Sequence, residues 1–157
     1  SPRIKKTFPG LQLYLEDIRS PFNVGSIFRT AESFGVSKII LSPLCASPHH
    51  ARAKRSAMGC IDLLSWEERP LNEVDGPLFV LETGGQDIED FSFPDTGTML
   101  IGSEELGASH EALQRAEESL GRLSIPMYGQ KASLNASVAC GIALYAWTQK
   151  LPSRLKP

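Results

Sequence analysis

LQLYLEDIRSPFNVGSIFRTAESFGVSKIILSP, residues 11–43, holds one complete unit of the fold. LQLYL (11–15) is an apolar run of strand length, and the polar turn EDIRSPF follows it. From Asn23, placed where a helix N-cap belongs, apolar residues fall at Val24, Ile27, Phe28, Ala31 and Phe34. That is helical spacing, and Gly35 is a natural stop. KIILSP (38–43) is a second short buried strand, ended by Pro43. Strand, helix and strand in this order build a parallel pair with the helix across it.

The same alternation continues outward. The basic stretch 49–59 reads as a helix, DLLSW (62–66) as a brief strand, and PLFVLE (77–82) as a strand running into a loop at Thr83, Gly84 and Gly85. TMLIG (98–102) is another strand. Ser109 is placed to cap a helix over HEALQRAEESL, with Glu111 near its positive end. RLSIPM (122–127) is a strand stopped by Pro126, and 134–150 a long helix with Leu134, Val138, Ile142, Tyr145 and Ala146 on one face. The expectation is one α/β domain over residues 1–157 with a largely parallel sheet. Ligands of such sheets sit beyond the carboxyl ends of the strands. Asn23, Arg29, Thr83–Gly85, Glu104 and Ser133–Asn135 all follow strand ends, either as site residues or as solvated turns.

Composition narrows the class. The 157 residues are 41% apolar and 22% charged, which excludes a disordered acidic or basic tail protein. No apolar run approaches the ~18–20 residues of a membrane span, and SPRIKKTFPG has no signal-peptide core, so no membrane partner is expected. Cys45, Cys60 and Cys140 lack CxxC spacing, which points to a reducing, cytoplasmic compartment. The net charge of −2 conceals an asymmetry: residues 1–60 carry +6, residues 61–120 carry −13 and residues 121–157 carry +5. Basic ends that met in space would offer a face to a polyanion; scattered, they are ordinary surface charge.

Several chemistries are excluded by motif. No GxGxxG follows the first strand, and no GxSxG supports a hydrolase nucleophile. Gly102 to Gly107 has the glycine spacing of a P-loop, but Ala108-Ser109 follows where Lys and Ser/Thr are required, and two acids lie inside it. His49, His50 and His110 lack zinc-ligand spacing, so no metal is expected, and His49-His50 reads as a surface pair.

Three segments remain. Asn23-Val-Gly25-Ser-Ile-Phe-Arg29-Thr30-Ala31 joins a cap to an arginine two turns on; alone, it is equally an ordinary cap and a surface arginine. Gly102-Ser103-Glu104-Glu105-Leu106-Gly107 puts a carboxylate beside a glycine that lets a ligand approach the backbone, or is a plain glycine turn. Ile125 to Ser137 runs from strand through a glycine loop into a small-residue helix, with Ser133, Asn135 and Ser137 clustered beyond what one N-cap needs.

Together and in this order, the three segments resemble the SpoU class of the SPOUT RNA methyltransferases, over about Leu13 to Trp147. Leu81–Gly85 and Arg55-Ser56-Ala57-Met58-Gly59 are weaker matches, and Ala136 stands where valine is more usual. The resemblance implies a Rossmann-like, largely parallel sheet flanked by helices with a C-terminal deep trefoil knot, a topology that general rules disfavour. It implies S-adenosylmethionine as cofactor, RNA as substrate (tRNA slightly ahead of rRNA), and a homodimer through the knot region. The reaction implied is methylation of a ribose 2′-hydroxyl.

By the same resemblance, Arg29 activates the hydroxyl, Asn23 and Glu104 position it and the target nucleotide, and Ser133 and Asn135 hold the ribose and the loop. Leu81, Glu82, Thr83, Gly84, Gly102, Ile125, Met127, Ser133 and Leu134 line the cofactor pocket. Arg29, Arg52, Lys54 and Arg55 meet the RNA, joined by Arg3, Lys5, Lys6, Lys150, Arg154 and Lys156 at the chain ends. Two other readings stand beside it: a catalytically idle RNA-binding module of the same fold, and an unrelated α/β enzyme for a phosphorylated small molecule. The start at Ser1, without an initiator methionine, leaves room for an upstream domain.

Overall fold

The computed structural model describes residues 5–131 and 133–157; Arg3 and Ala132 lie outside the described residues. The chain runs β1 (Phe8–Leu15), α1 (Pro21–Ser33), β2 (Val36–Leu41), α2 (Ala51–Ala57), β3 (Ser65–Glu68), β4 (Leu78–Asp87), β5 (Gly97–Ile101), α3 (His110–Glu117), β6 (Gly121–Ser124) and α4 (Ala136–Lys150). All strands pair in parallel, in the order β3-β2-β1-β5-β4-β6.

The strands are apolar on both faces because both faces are covered. Leu13, Leu15, Ile39, Leu41, Phe79, Met99 and Ile101 point into the larger core with α1 and α4. Tyr14, Ile40, Val80 and Leu100 point the other way, against Ala112 and Ala116 of α3. No described helix is long and apolar enough to cross a membrane.

Register decides where a ligand can sit. Leu15 pairs with Leu41 on one side and Ile101 on the other, and Ile101 pairs in turn with Leu81. The ends of β1, β2 and β5 are therefore level with Leu81 in the middle of β4. From β1 the chain steps to β2 and β3, then crosses to the opposite half of the sheet, where β5 sits beside β1. A cavity opens to one side of that reversal, over the end of β5, the middle of β4 and the segment that follows β6.

Four local expectations are corrected. Ser20, not Asn23, caps α1: its hydroxyl accepts from the Asn23 N–H at 3.1 Å, and Pro21 occupies the first helical turn. Asp62 and Leu63 belong to a short 3-10 turn, Cys60–Leu63, and the strand begins only at Ser65. Thr83-Gly84-Gly85 is a bulge inside β4 rather than a closing loop. Pairing with β6 breaks at Leu81 and resumes where Gln86 meets Leu123. RLSIPM is half strand, because β6 ends at Ser124 before Pro126, which has no N–H for a ladder.

Gly25 sets the approach of α1 to α2, since a Cβ there would collide with the Ala53 carbonyl and the Ser56 hydroxyl. At the other end of the core, Trp147 of α4 is fully buried. It meets the edge of Phe79 at 5.0 Å and donates its indole N–H to the Pro94 carbonyl at 2.9 Å. Trp147→Ala removes that contact and leaves the Pro94 carbonyl without its donor. The expected cost is about 3–5 kcal/mol in urea unfolding, and a loss below about 1 kcal/mol would remove Trp147 as the anchor of α4.

Candidate active site

The loop after β1 is shaped before it reaches α1. Asp17 adopts a left-handed conformation, φ 53°, which aspartate tolerates better than most residues. Its N–H donates to the Ser42 hydroxyl at 2.8 Å, and that hydroxyl donates back to the Asp17 carboxylate at 2.8 Å. The turn leaves the Arg19 and Ser20 N–H groups facing the Glu104 carboxylate, at 3.2 and 3.1 Å.

Glu104 arrives from the loop after β5. That loop folds back so tightly that a Cβ on Gly102 would strike the Ala108 backbone. Asn23 is buried in the first turns of α1, and its amide group bridges two elements. It donates to Glu104 Oε2 at 3.1 Å and accepts from Asn135 Nδ2 at 3.1 Å. Asn135 in turn caps α4, its Oδ1 accepting from the Ser137 N–H at 2.9 Å and the Ser137 hydroxyl at 2.7 Å. One hydrogen-bond chain, Glu104–Asn23–Asn135–Ser137, thus ties the ends of β1, β5 and β6 through their loops. Partial burial pushes the Glu104 carboxyl upward. Hydrogen bonds from its own N–H, the Asn23 amide and the Ser20 and Arg19 N–H groups outweigh that and hold it below the usual carboxylate range.

Beside this chain opens a cavity of about 590 Å³, within the size range of small-molecule sites. Leu81, Ile101, Ile125, Met127 and Leu134 give it apolar walls, while Glu82, Thr83, Ser103, Glu104, Glu105, Ser133 and Asn135 supply polar groups. None of the described residues lining it is cationic. The donor set fits a ligand with a flat apolar body, hydroxyls and positive charge. It disfavours a phosphorylated one, because three carboxylates with no cation among them would repel phosphate.

Of the residues singled out in the sequence, Asn23, Glu104, Ser133 and Asn135 come together here. Leu81, Glu82, Thr83, Gly102, Ile125, Met127 and Leu134 line the same cavity. Gly84 lies in the β4 bulge, outside the lining. Arg29 also stands apart. It is exposed six residues beyond Asn23 along α1, with Nη1 3.0 Å from Met58 Sδ. Arg52, Lys54 and Arg55 are exposed on α2. Two basic residues of the C-terminal segment are engaged inside the chain. Arg154 pairs with Asp95 at 2.9 Å, and the Lys150 ammonium donates to the carbonyls of Ile88, Glu89 and Phe91.

Sequence reasoning missed Glu16. It is buried at the end of β1, its two oxygens taking the Ser109 N–H and hydroxyl at 2.7 Å each, and so it fixes the start of α3. Glu82 does the same one residue earlier, accepting the Ala108 N–H at 2.8 Å. The signal for Glu16 was an acid set directly against a buried strand, where it needs a hydrogen-bonded partner. Among the described residues, no group of three or more His, Cys, Asp or Glu could hold a metal ion.

Residues 10–145 match the model of the SpoU rRNA Methylase family. The chain belongs to that family. It is 30% identical over 152 residues to the 23S rRNA (uridine(2479)-2'-O)-methyltransferase of Streptomyces viridochromogenes, with 86% of this chain and 51% of that protein covered. Among solved structures it resembles the SpoU methyltransferase AviRb from Streptomyces viridochromogenes in complex with the cofactor AdoMet. The TM-score is 0.80 at 25% identity, over 95% of this chain and 59% of that one. A structure reported for the 2-OH methylation of C/U34 on tRNA matches with TM-score 0.78 and 26% identity, over 89% and 95% of the two chains. The chain spans about half or less of the length of the curated relatives it matches, from 28% to 51% in these comparisons.

Glu104→Gln keeps the shape but turns an amide NH₂ toward N–H donors. We expect the melting temperature at neutral pH to fall, because charge-assisted hydrogen bonds to Arg19, Ser20 and Asn23 are lost. The folded-state carboxyl is depressed, so its stabilisation is present above the ordinary range and lost as pH falls through the folded value. Melting temperatures of wild type and Glu104→Gln should therefore differ at neutral pH and converge as pH falls through the folded value. A gap that persists at low pH would separate the carboxylate charge from the effect.

Proposed function

We propose that this chain transfers a methyl group from S-adenosylmethionine to a ribose 2′-hydroxyl of RNA. The observation that carries the reading is the cavity beside the Glu104–Asn23–Asn135 chain: apolar walls, an acidic rim and no cationic lining among the described residues. The cofactor, when bound, supplies an electrophilic methyl group on a sulfonium. Leu81, Ile125, Met127 and Leu134 would enclose its apolar part, with Gly102 allowing close approach to the backbone. The carboxylates of Glu82 and Glu105 would face its positive charge and hydroxyls. The relative named for 23S rRNA 2'-O methylation and the neighbour named for 2-OH methylation of tRNA support the ribose as acceptor. Both RNA classes are represented, and tRNA is the first substrate to try.

The remaining roles are carried over from the family resemblance. Asn23 and Glu104 hold the first turns of α1, from which Arg29 projects. A guanidinium is too weak an acid to serve as a base unaided, so a phosphate of the bound RNA must assist Arg29 in activating the hydroxyl. Ser133 and Asn135 face the cavity where the ribose would enter. The exposed Arg52, Lys54 and Arg55 meet RNA phosphates.

The reading includes a homodimer, supported by the exposed apolar Val138, Ile142 and Tyr145 beside a groove between α1 and α4. It also includes a C-terminal knot formed by the segment that leaves β6 and leads over the cavity into α4. A cytoplasmic setting is supported by Cys45, Cys60 and Cys140 being free thiols.

The deciding experiment is transfer of radiolabelled methyl from S-adenosylmethionine to tRNA and to rRNA, with mapping of alkali-resistant linkages. A resistant dinucleotide is expected; cofactor binding without transfer to either RNA would favour the idle binding module. In the same assay Arg29→Ala should lower turnover by about 100-fold or more, with cofactor affinity unchanged. Equal loss of both would take Arg29 out of the chemistry. Lys54→Glu with Arg55→Glu should weaken RNA binding and flatten its salt dependence without touching cofactor affinity. An unaltered salt slope would remove α2 from the RNA surface.

A further inference from the structure

Phe22 lies in the first turn of α1, 57% exposed, one residue before the buried Asn23. α2 crosses α1 here. The Ser56 hydroxyl donates to the Phe22 carbonyl at 2.9 Å, and Ser56 and Ala53 fill the space above Gly25. Seven residues further along, on the same face by helical periodicity, Arg29 reaches the thioether of Met58, itself 67% exposed. Arg52 stands one helical turn before Ser56, with Arg55 next to it, and both are exposed. Glu32 is the only acid in α1, and α2 has none.

An exposed aromatic ring thus lies where α2 packs on the first turn of α1, and exposed guanidinium groups stand on both helices. Single isolated apolar residues on a surface are ordinary. Here the ring is combined with cations on a second helix held against it. That mixture matches single-stranded nucleic acid, whose bases carry a π-face and whose backbone carries charge. Duplex RNA keeps its bases stacked and out of reach of such a ring.

We propose that Phe22 is the stacking platform for an unpaired base of the RNA near the modified nucleotide, with Arg52 and Arg55 on the flanking phosphates. This rests on the RNA methyltransferase reading and adds to it a preference for unpaired substrate. The geometry ties the ring to the site: Phe22 is covalently next to the amide that bridges Glu104 and Asn135. A base stacked on it is held within reach of the cavity mouth.

The test uses an oligouridine of about twelve nucleotides carrying one 2-aminopurine, and a duplex of the same length. Wild type should bind the single strand in preference to the duplex and quench the 2-aminopurine fluorescence. Phe22→Ala should lose the quench and bind the single strand about tenfold or more weakly. Phe22→Trp should restore both, and S-adenosylmethionine affinity should be equal in all three. Quenching and affinity unchanged in Phe22→Ala would overturn the proposal. So would a lower sedimentation coefficient of the RNA-free Phe22→Ala chain, which would make Phe22 a subunit contact. Binding of RNA that is indifferent to Phe22 sinks this inference alone, whereas a wild-type chain that binds no RNA sinks the RNA reading with it.

Discussion

The side-chain amide of Asn23 is the joint on which the site depends. It is buried, and both of its ends are used, one on Glu104 and the other on Asn135. An amide is suited to this place because it is at once donor and acceptor: a carboxylate would repel Glu104, and an apolar residue would strand both partners. Through it, three loops that leave different strands become one rigid rim. The cap of α4 belongs to the same chain of bonds, so the position of the last helix is coupled to the first.

Carboxylates do the holding on the other side of the rim. Glu16 fixes Ser109, Glu82 fixes Ala108, and Glu104 fixes Arg19 and Ser20, each by accepting backbone N–H groups. The strongly acidic middle of the sequence is therefore partly spent on shaping the loop from Gly102 to Ala108. The same acids give the cavity its negative character, while exposed cations gather on α2. A site of one sign beside a surface of the other suits two ligands of opposite charge meeting at one edge.

Most elements were legible because their periodicity is strong. The apolar residues at 13–15, 39–41, 78–80 and 99–101 are buried on both faces, as a covered parallel sheet requires. Ends were less legible. Ser20 displaced Asn23 as the cap because Pro21, with no N–H and a fixed φ, already suits the first turn. The β4 bulge escaped notice because two glycines read as a turn, whereas here they let the strand pass close to Arg122 and pair again with β6. Glu16 escaped because a single acid beside a strand has no local partner. Its partner, Ser109, is 93 residues away.

By itself the sequence determined the α/β alternation, the strand ends where polar residues collect, and the three segments that mark the family. These are local properties, set by hydrophobic period, caps and turn residues. Tertiary structure alone decided that β5 would lie between β1 and β4, which brings Glu104 to the turn before α1. It also decided that Asn23 would bridge Glu104 and Asn135 while Arg29, on the same helix, would project away toward Met58. The reason is physical. Hydrogen bonds between residues 81 and 112 positions apart depend on how strands are ordered, and strand order is settled by packing the whole core rather than by any one segment.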